Sequence, residues 1–315
     1  MDDVVKVTYL ALKTPHIGHV VWLKAMRALG HDVEIISTQR PVVSLPRRAG
    51  MLITEGAKPT MYGAVLGAFY KCWAAVALSP SILRPAINWL YTIPDLVVSV
   101  SSLVRKLINN ESMVLHPSPP ELEVLLKINN GTREPWICFS GAFIPIKGLH
   151  LIPDIALNLK SESIKAQFVL VGGTEKEPIG QLIINKARRL GVEEYLRIIG
   201  VLPRTQLFKL LSKCSLYLQP SLFDAFPISV VEAMALGVVP VITKYVGSRD
   251  LVELVDVSLV REPSPSNISE VLIRLLTDPM TLREYSVLSK SVVGDELSFK
   301  SVKNKVGAII ESCLK

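Results

Sequence analysis

A chain of 315 residues, 49% hydrophobic and 20% charged, is long enough for two packed domains, which excludes a disordered or fibrous protein. Its net charge of +7 and pI near 9.2 suit an anionic partner. The basic residues are scattered and no nucleic-acid motif accompanies them, so no nucleic-acid partner is expected, and a nucleotide diphosphate or an anionic membrane surface is the simpler expectation.

The chain opens on the acidic Met1-Asp2-Asp3, so no secretory signal is expected. Residues 4–12 read as a β-rich apolar strand, followed by a loop with His16, Ile17, Gly18 and His19 and a helix over 20–29 that Gly30 ends. With a strand at 32–37 this makes a βαβ unit. The alternation continues with a loop at 40–50, strand 51–54, helix 60–70 and strands 73–78 and 96–100. The stretch 64–80 is apolar but carries Lys71, and 85–104 is broken by Pro85, Pro94 and Asp95. Neither offers the roughly 20 largely uncharged residues that a membrane span needs. The expected location is cytoplasmic, or peripheral at the inner membrane face.

Residues 109–135, with Pro117, Pro119, Pro120, Asn129, Asn130 and Gly131, have the composition of a connection between domains. The alternation then restarts, with strands at 136–140, 167–171, 196–199, 216–219 and 239–242 and helices at 149–159, 175–190, 206–211 and 229–236. Continuous apolar strands such as 168–171 suit a parallel sheet covered on both faces. Two such runs predict two doubly wound domains, at 1–133 and 134–297, with a cleft between them and a C-terminal amphipathic helix in 298–315. Four cysteines, Cys72, Cys138, Cys214 and Cys313, form no Cys-x-x-Cys pair, and three lie in apolar runs. They read as buried free thiols in a reducing compartment, with no metal site.

The most specific segment runs from Pro220 to Gly237, PSLFDAFPISVVEAMALG. It sets Asp224 in a loop after a strand and Glu232 one turn into the following helix, with seven residues between them. In open α/β sheets ligands bind beyond the carboxyl ends of the strands. The backbone at Phe226, Pro227, Ile228 and Ser229 would then open a helix whose free amides suit anionic or hydroxyl oxygens. Taken singly, the two acids could be a helix cap and a solvated helix residue; the surrounding run is what argues against that.

This run resembles the acid-x7-acid signature of family 4 retaining glycosyltransferases, which have the GT-B fold of two facing Rossmann-like domains. The resemblance extends through residues 136–148, with Lys147-Gly148, through 168–173, 197–201 and 237–243, and to Gly247 and Asp250. The N-terminal half is similar more weakly, through Gly18 and the strand end 97–99. The resemblance implies that Glu232 holds the donor ribose, Asp224 faces the transferred sugar, and Lys147 neutralises the leaving diphosphate. Gly18, Gly141 and Gly172 would allow close approach to the donor. It also implies that the C-terminal helix braces the N-terminal domain. Glu55, at the end of a strand, sets a further carboxylate near the cleft as a catalytic candidate.

Two departures stand out. The first acid is Asp224 where the family has Glu, and Ala142 stands where it has Arg. Arg204 or Lys244 is the candidate replacement for that lost cation. Ser79-Pro80 occupies the place of a family histidine. The implied activity is a retaining, metal-independent transfer from a nucleoside-diphosphate sugar, a co-substrate with no further cofactor. The acceptor would be the hydroxyl of a glycan, lipid-linked or protein partner, with a peripheral membrane contact. In the family's accepted chemistry the departing diphosphate itself helps to deprotonate that acceptor. A catalytically weakened GT-B partner subunit is the alternative that Ala142 and Ser79 favour. A nicotinamide-dependent oxidoreductase would want Gly-x-Gly-x-x-Gly, and a metal-dependent transferase of the other common fold Asp-x-Asp; the chain has neither.

Overall fold

The short apolar runs of the first half become strands of an all-parallel sheet in the computed structural model, which describes residues 4–39, 50–78, 85–108, 111–128 and 131–315. They are β1 (Lys6–Ala11), β2 (Asp32–Ser37), β3 (Met51–Glu55), β4 (Cys72–Ala77), β5 (Leu96–Ser99) and β6 (Met113–Val114). Parallel neighbours need crossovers, and α1 (Val20–Ala28), α2 (Ala57–Leu66) and α3 (Ser102–Ile108) supply three of them. The strand order is β2-β1-β3-β4-β5-β6. The chain therefore leaves β1 toward one edge and returns to build the other, which makes the carboxyl ends of β1 and β3 the switch point of this sheet.

Residues 1–120 form this unit together with 297–315, which contain the last helix of the chain. Helix α2 begins earlier than the pattern predicts because Gly56, at φ +83°, turns the chain directly out of β3.

The second unit, residues 121–296, repeats the plan. Its helix α4 (Leu122–Lys127) buries Leu122 and Leu125 and packs on a later helix of the same unit. The change of unit therefore comes at Pro120–Glu121 and not at residue 133. Six parallel strands follow, β7 (Glu134–Ser140), β8 (Gln167–Val171), β9 (Leu196–Gly200), β10 (Cys214–Gln219), β11 (Val239–Thr243) and β12 (Val260–Arg261). Between them run α5 (Ile152–Ser161), α6 (Pro178–Leu190), α7 (Arg204–Leu211), α8 (Ile228–Ala235) and α9 (Arg249–Val252).

The strand order β12-β11-β10-β7-β8-β9 is that of a Rossmann sheet, with its switch point between β7 and β10. The interior faces of β7, β8 and β10 carry Ile137, Phe139, Phe168, Leu170, Leu216 and Leu218, each at most 1% exposed. Beyond β12, in a stretch that the periodicity leaves unassigned, stand α10 (Pro265–Thr277) and α11 (Pro279–Leu297). The last helix, α12 (Phe299–Leu314), returns to the first unit and packs on α1 and β4 through Val302, Val306, Ile309 and Ile310.

The expectation of free thiols is overturned. Cys72 of β4 pairs with Cys313 of α12, and Cys138 of β7 with Cys214 of β10, their Cα atoms 5.7 and 6.2 Å apart. Both separations lie in the range a disulfide spans. Burial was legible in the apolar runs, but pairing was not. The partners are 241 and 76 residues apart in the chain and meet only through helix docking and strand pairing. The argument for a reducing compartment falls with the free thiols. Among the described residues, no helix is long and apolar enough to cross a membrane.

Candidate functional site

At the switch point of the second unit, β7 ends in Ser140 and passes through Gly141 and Ala142 into a 3-10 turn, Pro145–Lys147. Gly148 follows at φ +70°, and a Cβ there would stand 1.9 Å from the carbonyl oxygen of Pro220, so only glycine lets this loop lie on the end of β10. The Leu222 amide donates to the Ile146 carbonyl at 2.8 Å and seals the contact. The loop thus delivers Lys147 Nζ to 2.5 Å from Asp224 Oδ2, with the two side chains 21% and 12% exposed. Asp224 is itself pinned: its amide donates to Tyr245 O and its carbonyl accepts from Gly247 N. The shorter acid therefore still meets the loop lysine. Gly172, at φ +113°, places its Cα against the Gly141 carbonyl, which a Cβ would approach to 2.3 Å. Gly141 and Gly172 are thus brought together where β7 and β8 end, and the Gly172 amide donates to Gly200 O.

Helix α8 starts beside Pro227, and no side chain caps it. Among the described residues the amides of its first residues, Ile228 and Ser229, are therefore orphan donors of the kind that bind oxygens. Phe226 and Ile228 are buried, and Ser229 Oγ lies 2.8 Å from the Tyr217 hydroxyl. Burial pushes the Tyr217 hydroxyl up to about 12, which leaves it a neutral hydrogen-bonding group.

Glu232, in the second turn of α8, is 2% exposed, and its Oε1 accepts from Arg204 Nη2 at 2.7 Å. The same guanidinium grips Glu121 in a fork, Nε to Oε1 at 3.0 Å and Nη2 to Oε2 at 2.7 Å. Burial raises the Glu232 carboxyl above its ordinary range, with the Glu121 charge adding to it and Arg204 opposing it. Arg204 is thus committed to two carboxylates, and Lys244 pairs with the exposed Glu262 at 2.6 Å. Both candidate replacements for the family arginine at Ala142 are therefore ion-paired in this structure.

The first unit holds the remaining two residues, at its own switch point. Gly18 is buried; its amide donates to His16 Nδ1 at 3.3 Å and its carbonyl accepts from Ser118 N at 3.1 Å. Glu55 is 6% exposed and not a solvated acid. Its Oε1 accepts from the His16 amide at 2.9 Å, and its Oε2 accepts from the Tyr9 hydroxyl at 2.6 Å and lies 3.2 Å from His19 Nδ1. Burial acts to raise its pKa, but His19, Tyr9 and the His16 amide outweigh burial and hold it below the usual carboxylate range. Burial and the Glu55 charge together drive the Tyr9 hydroxyl well above its ordinary value. Glu55 therefore fixes the backbone of the His16–Gly18 loop instead of standing free.

Tyr9, Glu121 and Tyr217 were not singled out from sequence. For the tyrosines a signal existed, since a tyrosine inside a buried strand needs a partner for its hydroxyl. Ser79 and Pro80, and residues 40–49 of the predicted loop, lie outside the described residues.

The switch point of this Rossmann sheet thus carries a loop cation, an acid opposite it and a buried acid in the next helix. The chain belongs to the family described as glycosyl transferases group 1, which it matches over residues 125–290, more than half its length. It is 28% identical over 185 residues to an MMP alpha-(1->4)-mannosyltransferase of Mycolicibacterium hassiacum, a match covering 56% of this chain and 43% of that relative. Two GT-B structures resemble it along nearly the whole chain. Sucrose-phosphate synthase from Thermosynechococcus elongatus superposes with a TM-score of 0.76 at 13% identity, covering 98% of each chain. Anabaena HepE in complex with UDP superposes with a TM-score of 0.74 at 14% identity, covering 98% of this chain and 100% of that one.

Proposed function

We propose that the protein is a retaining, metal-independent glycosyltransferase that moves a sugar from a nucleoside-diphosphate donor to an acceptor hydroxyl. The observation that carries this reading is the meeting of Lys147 and Asp224 at the β7–β10 switch point, with buried Glu232 in the helix that follows. In this reading Glu232 accepts the ribose hydroxyls, and the orphan amides of Ile228 and Ser229 face phosphate or sugar oxygens. Lys147, now paired with Asp224, turns part of its charge to the diphosphate as the sugar bond breaks. Asp224 then accepts from sugar hydroxyls. The acceptor proton passes to the departing diphosphate oxygen, so the protein supplies orientation and field more than a base.

The test is a transfer assay on donors ranked by thermal shift, since a bound donor raises stability by mass action. UDP is the first probe, because HepE was crystallised with it. We expect sugar release or transfer with retained anomeric configuration, undiminished by EDTA. An inverted product sinks the retaining assignment, and loss of activity in EDTA sinks metal independence. A donor that binds without turnover would favour the weakened subunit, for which Ala142 and Ser79 are the arguments.

The acceptor is proposed to be lipid-linked or membrane-proximal. In the first unit Met61, Tyr62 and Val65 of α2, Phe69 and Trp89 stand exposed, with the exposed cations Lys58, Lys71, Arg105 and Lys106 in the same unit. Trp73 and Tyr91 instead fill the core. Aromatic and basic residues beside apolar surface suit anionic headgroups. The protein should sediment with anionic liposomes at low salt and detach as the screening length shortens from about 10 Å at 0.1 M to about 3 Å at 1 M. If none sediments at low salt, a soluble acceptor replaces this one.

A further inference from the structure

Arg204 is the first residue of α7, and its guanidinium is held from three directions. Glu121 takes its edge in a fork, the Phe208 ring lies 5.0 Å from its centre, and Glu232 takes a hydrogen from Nη2. A guanidinium so fixed is a rigid charge, not a wandering surface group. Glu232 depends on it. The carboxylate is 2% exposed, and among the described residues its second oxygen, Oε2, accepts no hydrogen bond.

Among the described residues facing Glu232, Arg204 alone favours its ionised form: Glu121 is a like charge and Tyr217 is neutral. Strand β11 brings no ionisable side chain, and Glu123 and Lys127 of α4 are exposed. A buried carboxylate deprived of its neighbouring cation favours the protonated form more strongly, so its proton is lost only at higher pH. Chemistry makes that proton matter. Two vicinal hydroxyls donate well to an ionised carboxylate, which offers lone pairs on both oxygens even with one taken by Arg204. A protonated carboxyl brings a competing donor.

We propose that Arg204 is a positioning residue that keeps Glu232 ionised for the ribose hydroxyls of the donor, so that nucleotide affinity is lost to a proton when the arginine is removed. The inference rests on the nucleotide-sugar reading above and adds to it how that site is controlled. The sign follows from competition: ligand needs the ionised acid, so affinity falls as pH drops through the Glu232 pKa. Removing Arg204 raises that pKa further and starts the loss at higher pH.

Two measurements on the full chain test it. The first is a carbon-13 titration of the glutamate carboxyls, with Glu232 assigned by Glu232→Gln, in the wild type, Arg204→Met and Arg204→Lys. The second is calorimetric affinity for UDP, GDP and ADP from about pH 5.5 to about pH 8.5. Glu232 should titrate at higher pH in Arg204→Met and return toward the wild type in Arg204→Lys. Affinity in Arg204→Met should fall about tenfold or more at the acid end and recover toward the alkaline end, while Arg204→Lys, which keeps a cation, loses less. An unchanged Glu232 titration, or a loss of affinity equal at every pH, overturns the inference and leaves the nucleotide reading standing. Failure of all three nucleotides to bind the wild type overturns both.

Discussion

Glu232→Ala should abolish measurable binding of the nucleotide donor while the fold survives. The side chain is among the most buried charges of the second unit, and its carboxylate is the one ionisable group in α8. Truncating one partner of a buried charged hydrogen bond typically costs about 2–5 kcal/mol of affinity, roughly thirtyfold to several thousandfold. The fold should hold because Arg204 keeps its fork to Glu121, so no cation is left buried and unpaired. Calorimetry with UDP, GDP and ADP reads the affinity, and circular dichroism the fold. Wild-type affinity in the variant would remove Glu232 from the ribose site.

Lys147→Ala should lower turnover by about a hundredfold to a thousandfold and weaken donor binding much less. A cation aimed at charge that develops in the transition state contributes on that scale, whereas its ground-state contact is partly offset by Asp224, which already holds it. Removing it leaves Asp224, 12% exposed, with the 3.4 Å contact from Gln219 Nε2 as its one side-chain partner among the described residues. Lys147→Arg controls for that unpaired acid, because it keeps a cation opposite Asp224. Steady-state kinetics beside equilibrium binding separates the two effects. Equal falls in turnover and affinity would make Lys147 a ground-state contact only.

How far these residues were legible differs between the two units. In the second, the run from Pro220 to Gly237 carried its own context of strand end, loop, acid, helix and second acid, all within local reach of the chain. Periodicity sees such spacing because a strand and the helix after it are fixed by neighbouring residues. The apolar strands announced a parallel sheet for the same reason, since a strand covered on both faces needs an unbroken run of apolar side chains. In the first unit, Glu55 was legible as a carboxylate at a strand end but not as the anchor of a loop. Tyr9 and His16 reach it from 46 and 39 residues away.

What the sequence alone determined, then, is the class of fold, the acid pair of the second unit and the family those residues resemble. Which side chains meet was decided by tertiary structure. Lys147 finds Asp224 across 77 residues because strand order sets β7 beside β10, with no gap for anything but glycine at position 148. Arg204 finds Glu121 and Glu232 across 83 and 28 residues because α4 packs on α8, which makes it the partner of two carboxylates. The cysteines pair by the same means, through strand pairing in one case and the return of α12 in the other. Local pattern records whether a side chain is buried, because burial is set by the face it occupies on its own element. It does not record the partner, because that depends on the order in which distant strands join the sheet.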